Sequence, residues 1–168
     1  MIDKTTIRVA LETDREAIAD LNTRAFGRPD EARTIAKLEK DQEVLLQLVA
    51  EMDGQVVGHI LFYPIGVFNK LGAVGLGPMC VDPWIRKEGI GSRLVMSGVQ
   101  AMKNAGAPLV FVLGHETYYP RFGFNVEATA DFDTPIKGKS FMALRMRYGP
   151  PLSGRLIFPD AFGIPNIV

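Results

Sequence analysis

The segment that most restricts the fold runs from Gly72 to Gly114. An apolar stretch ends at Val81, and Asp82-Pro83-Trp84 turns the chain into a glycine-containing loop, Arg86 to Gly91. Leu94, Val95, Val99 and Met102 then recur at helical spacing up to Asn104-Ala105-Gly106, a good helix stop. The run Leu109-Val110-Phe111-Val112-Leu113 follows. It is too short for a helix and suits a strand buried on both faces. A helix over about 91–105 between two apolar strands predicts a right-handed crossover and a locally parallel pair.

The chain before this segment reads as antiparallel. Ile7, Val9 and Leu11 alternate with polar or small neighbours, the period of a half-buried strand. Thr13 and Glu16 have capping-box spacing, and Ile18, Leu21 and Ala25 predict a helix over about 14–25. Gly27-Arg28-Pro29-Asp30 breaks it, and a second helix is expected over about 31–40. Apolar segments at 44–52 and 55–63 flank Asp53-Gly54, the pair that accommodates two positive φ angles in a tight hairpin. The third strand, about 72–81, carries Gly72, Gly75, Gly77 and Pro78, too many for regular pairing, so a bulge or a close backbone approach is expected. A short helical turn is expected at 117–121 and a strand at 140–146. The reading is one mixed α/β (α+β) domain over residues 1–168. Its apolar extension, 149–168, is expected to pack on the domain or form a homodimer interface.

Composition narrows the function classes. With 168 residues, 47% apolar, and 19 basic against 19 acidic side chains, the chain suits an ordinary globular domain rather than a disordered one. Zero net charge disfavours a general nucleic-acid binder. One cysteine, Cys80, permits no internal disulfide, and two histidines, His59 and His115, make a His-rich metal site an unsuitable reading, so no metal is expected. A charged N-terminus and the lack of any 18-residue apolar run predict neither export nor membrane insertion; a cytoplasmic enzyme or binding module is the expected class.

The loop is where chemistry is legible. A helix N-terminus presents backbone N–H groups without helical partners and about half a positive charge. Glycines let a phosphate approach the backbone, and Arg86 and Lys87 add two cations. A diphosphate is the natural ligand. A P-loop would need Lys-Ser/Thr after its last glycine, where Ser92-Arg93 stands, and a Rossmann turn would need glycine at Leu94. A tight turn with solvated charges is the bland alternative.

The segment Cys80–Leu94 resembles the acetyl-CoA-binding signature of the GCN5-related N-acetyltransferase (GNAT) superfamily, Arg/Gln-x-x-Gly-x-Gly/Ala, through Arg86, Gly89 and Gly91. Tyr118-Tyr119-Pro120-Arg121-Phe122-Gly123-Phe124 resembles its late tyrosine followed by Gly-Phe, and Gly58 also fits. Leu113-Gly114-His115 and Pro151–Arg155 are similar to a bacterial subgroup of mostly unassigned substrate. The resemblance implies a mostly antiparallel sheet splayed between two central strands, with helices on both faces.

It also implies residue roles. Arg86, Lys87, Glu88, Gly89, Ile90, Gly91 and Ser92 would hold the CoA pyrophosphate; Met79, Cys80 and Val81 would pair their backbone with the pantetheine arm. Tyr119 would serve the leaving thiolate, unless it is a packing tyrosine, a role that suits Tyr118 better. A tyrosine of pKa ~10 is a poor acid toward a thiol of ~8.5, so a hydrogen bond to sulfur fits better than outright proton transfer. An acceptor amine must be neutral to attack: pH 7 costs a lysine-like amine about 4.6 kcal/mol and an α-amino group about 1 kcal/mol. His115 is the best-placed general base and Glu116 adjoins it, although relatives often carry Asn there; a histidine capping the short helix is the competing role. His59 reads as a half-buried strand residue and Cys80 as a small buried apolar one. The expected activity is acetyl transfer from acetyl-CoA to a small-molecule or peptide amine; a non-catalytic acyl-CoA-binding module and a nucleotide-binding module are the competitors.

Overall fold

A computed structural model describes residues 4–68, 70–85, 88–146 and 152–165, with backbone only for Lys70 and Leu71. In chain order the elements are β1 (Thr5–Val9), α1 (Arg15–Phe26), α2 (Asp30–Lys40), β2 (Leu46–Met52), β3 (Gln55–Val67), β4 (Lys70–Val81), α3 (Ile90–Asn104), β5 (Leu109–Leu113), β6 (Phe132–Asp133), β7 (Phe141–Arg145) and β8 (Gly154–Ile157), with short 3-10 turns between some of them. Hydrogen-bonded neighbours run β1-β2-β3-β4-β5-β7. β1–β2, β2–β3 and β5–β7 are antiparallel and β4–β5 is parallel. This is the mixed, mostly antiparallel sheet expected, with the crossover helix joining the parallel pair.

The chain divides into two compact units, Met1–Phe62 with Pro78–Gly98, and Tyr63–Gly77 with Val99–Val168. In the first, helices occupy both faces of β3. A Cβ built on Gly58 would lie 2.9 Å from Leu94 Cδ1 and 3.2 Å from Ile90 Cγ2, so α3 covers that face. The adjacent residue, His59, points the other way, to Asn22 of α1. Gly98 of α3 is likewise required, because a Cβ there would overlap the Phe62 ring. Two glycines, one on the strand and one on the helix, thus bring α3 close to the sheet.

The Thr13–Glu16 capping box does not form. A 3-10 turn over Glu12–Asp14 precedes α1, and the Asp14 carboxylate accepts the Leu11 N–H at 2.7 Å. Arg8 is the reason: its Nη1 donates to Asp14 at 2.7 Å and its Nη2 to Glu51 at 2.7 Å, so a charge-assisted link outcompetes the threonine. Gly27 ends α1 in the left-handed region (φ 69°). At the β2–β3 hairpin Asp53 and Gly54 both take positive φ, 49° and 77°, as a tight turn requires.

In the second unit β4 pairs with β5 over Val74–Val110, Gly75–Phe111 and Leu76–Val112. Among the described residues that ladder ends there, while β4 continues through Gly77 (φ 136°) to Val81. Gly75 is the close approach expected of this strand, since a Cβ would overlap the Tyr63 ring. The residues beyond the ladder of β7 hold a strand that hydropathy does not reveal: β8 pairs with β3 at Gly66–Ile157 and Val67–Leu156, and with β6 at Phe132–Gly154. Leu156 and Phe158 are buried, and Phe162 packs its ring 4.3 Å from that of Tyr63. This part of the apolar extension therefore folds back onto its own chain.

Candidate active site

In the first unit, the site is built at the junction of β4 and α3. Asp82 fixes the exit from the strand: its N–H donates to Val57 O (2.8 Å), its carbonyl accepts from Ile85 N (3.0 Å), and its carboxylate accepts from Trp84 N (3.1 Å) and Arg24 Nη2 (3.1 Å). Arg86 and Lys87 lie outside the described residues. Glu88 and Gly89 are exposed, and Gly89 holds φ 77°, with nothing within 4 Å of where a Cβ would stand. Among the described residues nothing crowds that position, so glycine is needed there for its conformation.

Arg93 N–H donates to Gly89 O at 3.1 Å and begins the helical ladder. The amides of Ile90 and Gly91 lie ahead of that bond, at the positive mouth of a 15-residue helix. Ile90 is 2% exposed and faces Gly58, so only its backbone is available to a ligand, and its side chain anchors the mouth to the sheet. Met79 is half-buried, and Cys80 and Val81 are buried. Burial gives Cys80 the small apolar role expected of it. Open space beside a left-handed glycine, next to helix-mouth amides, fits a diphosphate.

In the second unit, β5 ends at Leu113, and Gly114 N–H donates to Ser140 O at 2.9 Å. A Cβ on Gly114 would overlap the Tyr119 ring, so this glycine makes room for the tyrosine, a relation the sequence reading missed although glycine at a strand end was the available signal. Tyr119 is 7% exposed. Its ring meets Tyr118 edge-on (centroids 5.1 Å) and Phe124 (5.7 Å). Burial, with a smaller contribution from Tyr118, raises its pKa far above the usual tyrosine value. Of the two neighbouring tyrosines, Tyr119 is the more deeply buried. Tyr118 is only half-buried, with the Arg121 guanidinium 4.6 Å from its ring centre.

His115 is exposed, as is Glu116. Its backbone carbonyl accepts from Tyr118 N (3.1 Å) and Tyr119 N (3.4 Å), so the turn is capped by the main chain, not by the imidazole. His115 and Tyr119 are joined through that bond.

His59 is corrected from half-buried to wholly buried, at 0% exposure. Its Nε2 is 2.8 Å from Gln47 Oε1, which only a donated proton satisfies, leaving Nδ1 to accept from Asn22 Nδ2 at 3.3 Å. Asn22 Nδ2 also donates to Ile18 O at 2.9 Å. Burial pulls the His59 pKa down to about 3, so the ring is neutral near pH 7. The signal in the sequence was Asn22, a polar residue inside the apolar stripe of α1.

A sequence profile of the acetyltransferase (GNAT) family matches residues 15–124, which span the helix mouth and Tyr119. The chain belongs to that family. It is 37% identical over 124 residues to the uncharacterized N-acetyltransferase YjhQ of Escherichia coli, covering 71% of this chain and 68% of the relative. The structure of the GNAT family N-acetyltransferase YhbS from E. coli, in complex with CoA, superimposes with a TM-score of 0.88 at 30% identity, over 95% of this chain and 92% of that one. A GNAT family acetyltransferase from Brucella melitensis, in complex with acetyl-CoA, gives 0.81 at 32% identity, over 94% and 97%. Among the described residues of this GNAT protein, no three His, Cys, Asp or Glu side chains cluster as metal ligands, and no helix is long and apolar enough to cross a membrane.

Proposed function

We propose that this acetyltransferase moves the acetyl group of acetyl-CoA to a primary amine by direct attack in a ternary complex. The observation that carries the reading is the open helix mouth at Gly89–Ser92, in a chain whose relatives of 30% and 32% identity hold CoA and acetyl-CoA. Acetyl-CoA supplies an activated thioester with a good thiolate leaving group. The amides of Ile90 and Gly91, with Ser92 beside them, hold its diphosphate, and Gly89 supplies the left-handed turn that leads into them. The backbone of Met79–Val81 aligns the pantetheine arm. One backbone donor aimed at the carbonyl oxygen as it gains charge lowers the barrier by about 3 kcal/mol.

Tyr119 serves the departing sulfur as a hydrogen-bond donor. The raised pKa of its buried hydroxyl keeps the donor proton in place across the working pH range and makes full transfer to a thiolate steeply uphill. The departing thiolate takes its proton from solvent, and the attacking amine gives up one of its own. His115, exposed at the end of β5, accepts that amine proton. The base matters most for lysine-like amines and little for α-amino groups, whose neutral form is abundant near pH 7.

The test is CoA release from acetyl-CoA with a panel of primary amines. Wild-type protein is expected to turn over at least one amine class, and Tyr119→Phe to lower kcat about 100-fold with little change in acetyl-CoA affinity. Tight CoA binding without turnover of any amine would leave a non-catalytic acyl-CoA module. Protection by ATP or NAD, with none by CoA, would point to a nucleotide-binding module.

A further inference from the structure

Trp84 stands at 90% exposure, above every other large apolar side chain among the described residues. It is the chain's one tryptophan. Nothing about stability explains it, because an indole left in water contributes no burial. Nor is it on a loose loop. Its backbone N–H donates to the Asp82 carboxylate, the backbone N–H of Ile85 closes onto the Asp82 carbonyl, and Asp82 is tied to Val57 of β3 and Arg24 of α1. An ordered turn therefore presents a large flat π-face to solvent just before the loop that leads to the helix mouth at Ile90, within the same compact unit.

We propose that the Trp84 indole stacks on the adenine ring of the coenzyme. This rests on the acetyl-CoA reading above and extends it to the end of the ligand farthest from the thioester. With the diphosphate at the mouth of α3, the attached adenosine would lie outside it, on the side of the Asp82–Ile85 turn. Adenine offers a planar face of the kind that aromatic side chains stack on without sequence or edge specificity, and the exposed indole supplies the other face. Because no hydrogen bond to the base edge is needed, one exposed ring on a fixed turn is sufficient. The residue acts in binding and takes no part in acyl transfer.

The single tryptophan makes the contact directly readable. Titration with CoA or dephospho-CoA is expected to quench Trp84 fluorescence saturably, whereas 4′-phosphopantetheine, which lacks adenosine, is expected to bind by calorimetry without quenching. Trp84→Ala should weaken CoA binding about tenfold and leave 4′-phosphopantetheine binding as it was, and Trp84→Phe should recover most of the loss. Wild-type affinity for CoA in Trp84→Ala, or equal quenching by 4′-phosphopantetheine, would overturn this assignment while leaving the cofactor reading intact. A rise in acceptor KM with unchanged CoA affinity would overturn it as well, in favour of an acceptor-side role. Failure of the wild-type protein to bind any CoA compound would instead overturn the cofactor reading, and this contact with it.

Discussion

Gly58 of β3 lies directly beneath Leu94 of α3: a Cβ at position 58 would stand 2.9 Å from Leu94 Cδ1, inside the distance real Cβ atoms keep, and 3.2 Å from Ile90 Cγ2. This strand glycine sets the height of the helix whose first amides are proposed to hold the diphosphate. Gly58→Ala is expected to destabilise the fold by about 1–3 kcal/mol through overpacking and to displace the mouth of α3, weakening CoA binding. Urea unfolding and calorimetry on the same variant check both. Unchanged stability and affinity would mean that the helix is not seated by this contact.

Gly89 is needed for its φ of 77° and not for space. Gly89→Ala carries the left-handed penalty of about 1–2 kcal/mol with no clash. Asn tolerates that conformation better, so Gly89→Asn should retain more CoA affinity than Gly89→Ala. Equal losses in the two variants would assign the position a steric role that the open space above it does not support.

Gly114 and Tyr119 form a similar pair around the proposed sulfur ligand. Gly114→Ala should force the tyrosine ring aside and lower kcat, while a Gly114→Ala, Tyr119→Ala double variant should be little worse than Tyr119→Ala alone. Strictly additive losses in this double-mutant cycle would show that the glycine acts independently of the ring.

The buried His59 makes stability depend on pH. Its folded pKa, about 3, lies below its ordinary value of 6.5, so the unfolded chain takes up the proton first. The stability is fully present above about pH 6.5 and declines as the pH falls toward 3. Asp14 and Glu31, whose pKa values Arg8 and Arg28 lower from 3.8 and 4.5, add acid sensitivity mainly below that upper figure. Between pH 6.5 and 4.5 the decline belongs chiefly to His59 and amounts to about 2–3 kcal/mol. His59→Gln should be less stable at pH 7 yet lose much less over this interval in urea titrations.

The parts of the fold legible in the sequence were those where local rules act alone. Asp53-Gly54 marked its hairpin, Gly27 ended α1, and the spacing of Leu94, Val95 and Met102 marked α3, because turn sterics and one buried face decide each of them. Long-range partners decided the remainder. Arg8 and Glu51 redirect Asp14 and so displace the cap expected at Thr13. Strand β8 is four residues long and takes its register from β3 and β6, which no local period reports. His59 alternates correctly along β3, but its complete burial depends on Asn22 from α1 and Gln47 from β2. At the candidate site, the glycine-containing approach to α3 was readable, whereas the burial that fixes Tyr119 comes from Gly114, Tyr118 and Phe124 meeting in three dimensions.

The central claim concerns four backbone positions, and amide NMR reads them individually. Titration of the labelled protein with CoA should move the N–H resonances of Gly89, Ile90, Gly91 and Ser92 saturably and among the most strongly in the chain. If those four resonances stay in place at CoA concentrations that saturate the protein, the helix mouth does not hold the diphosphate and the account is wrong.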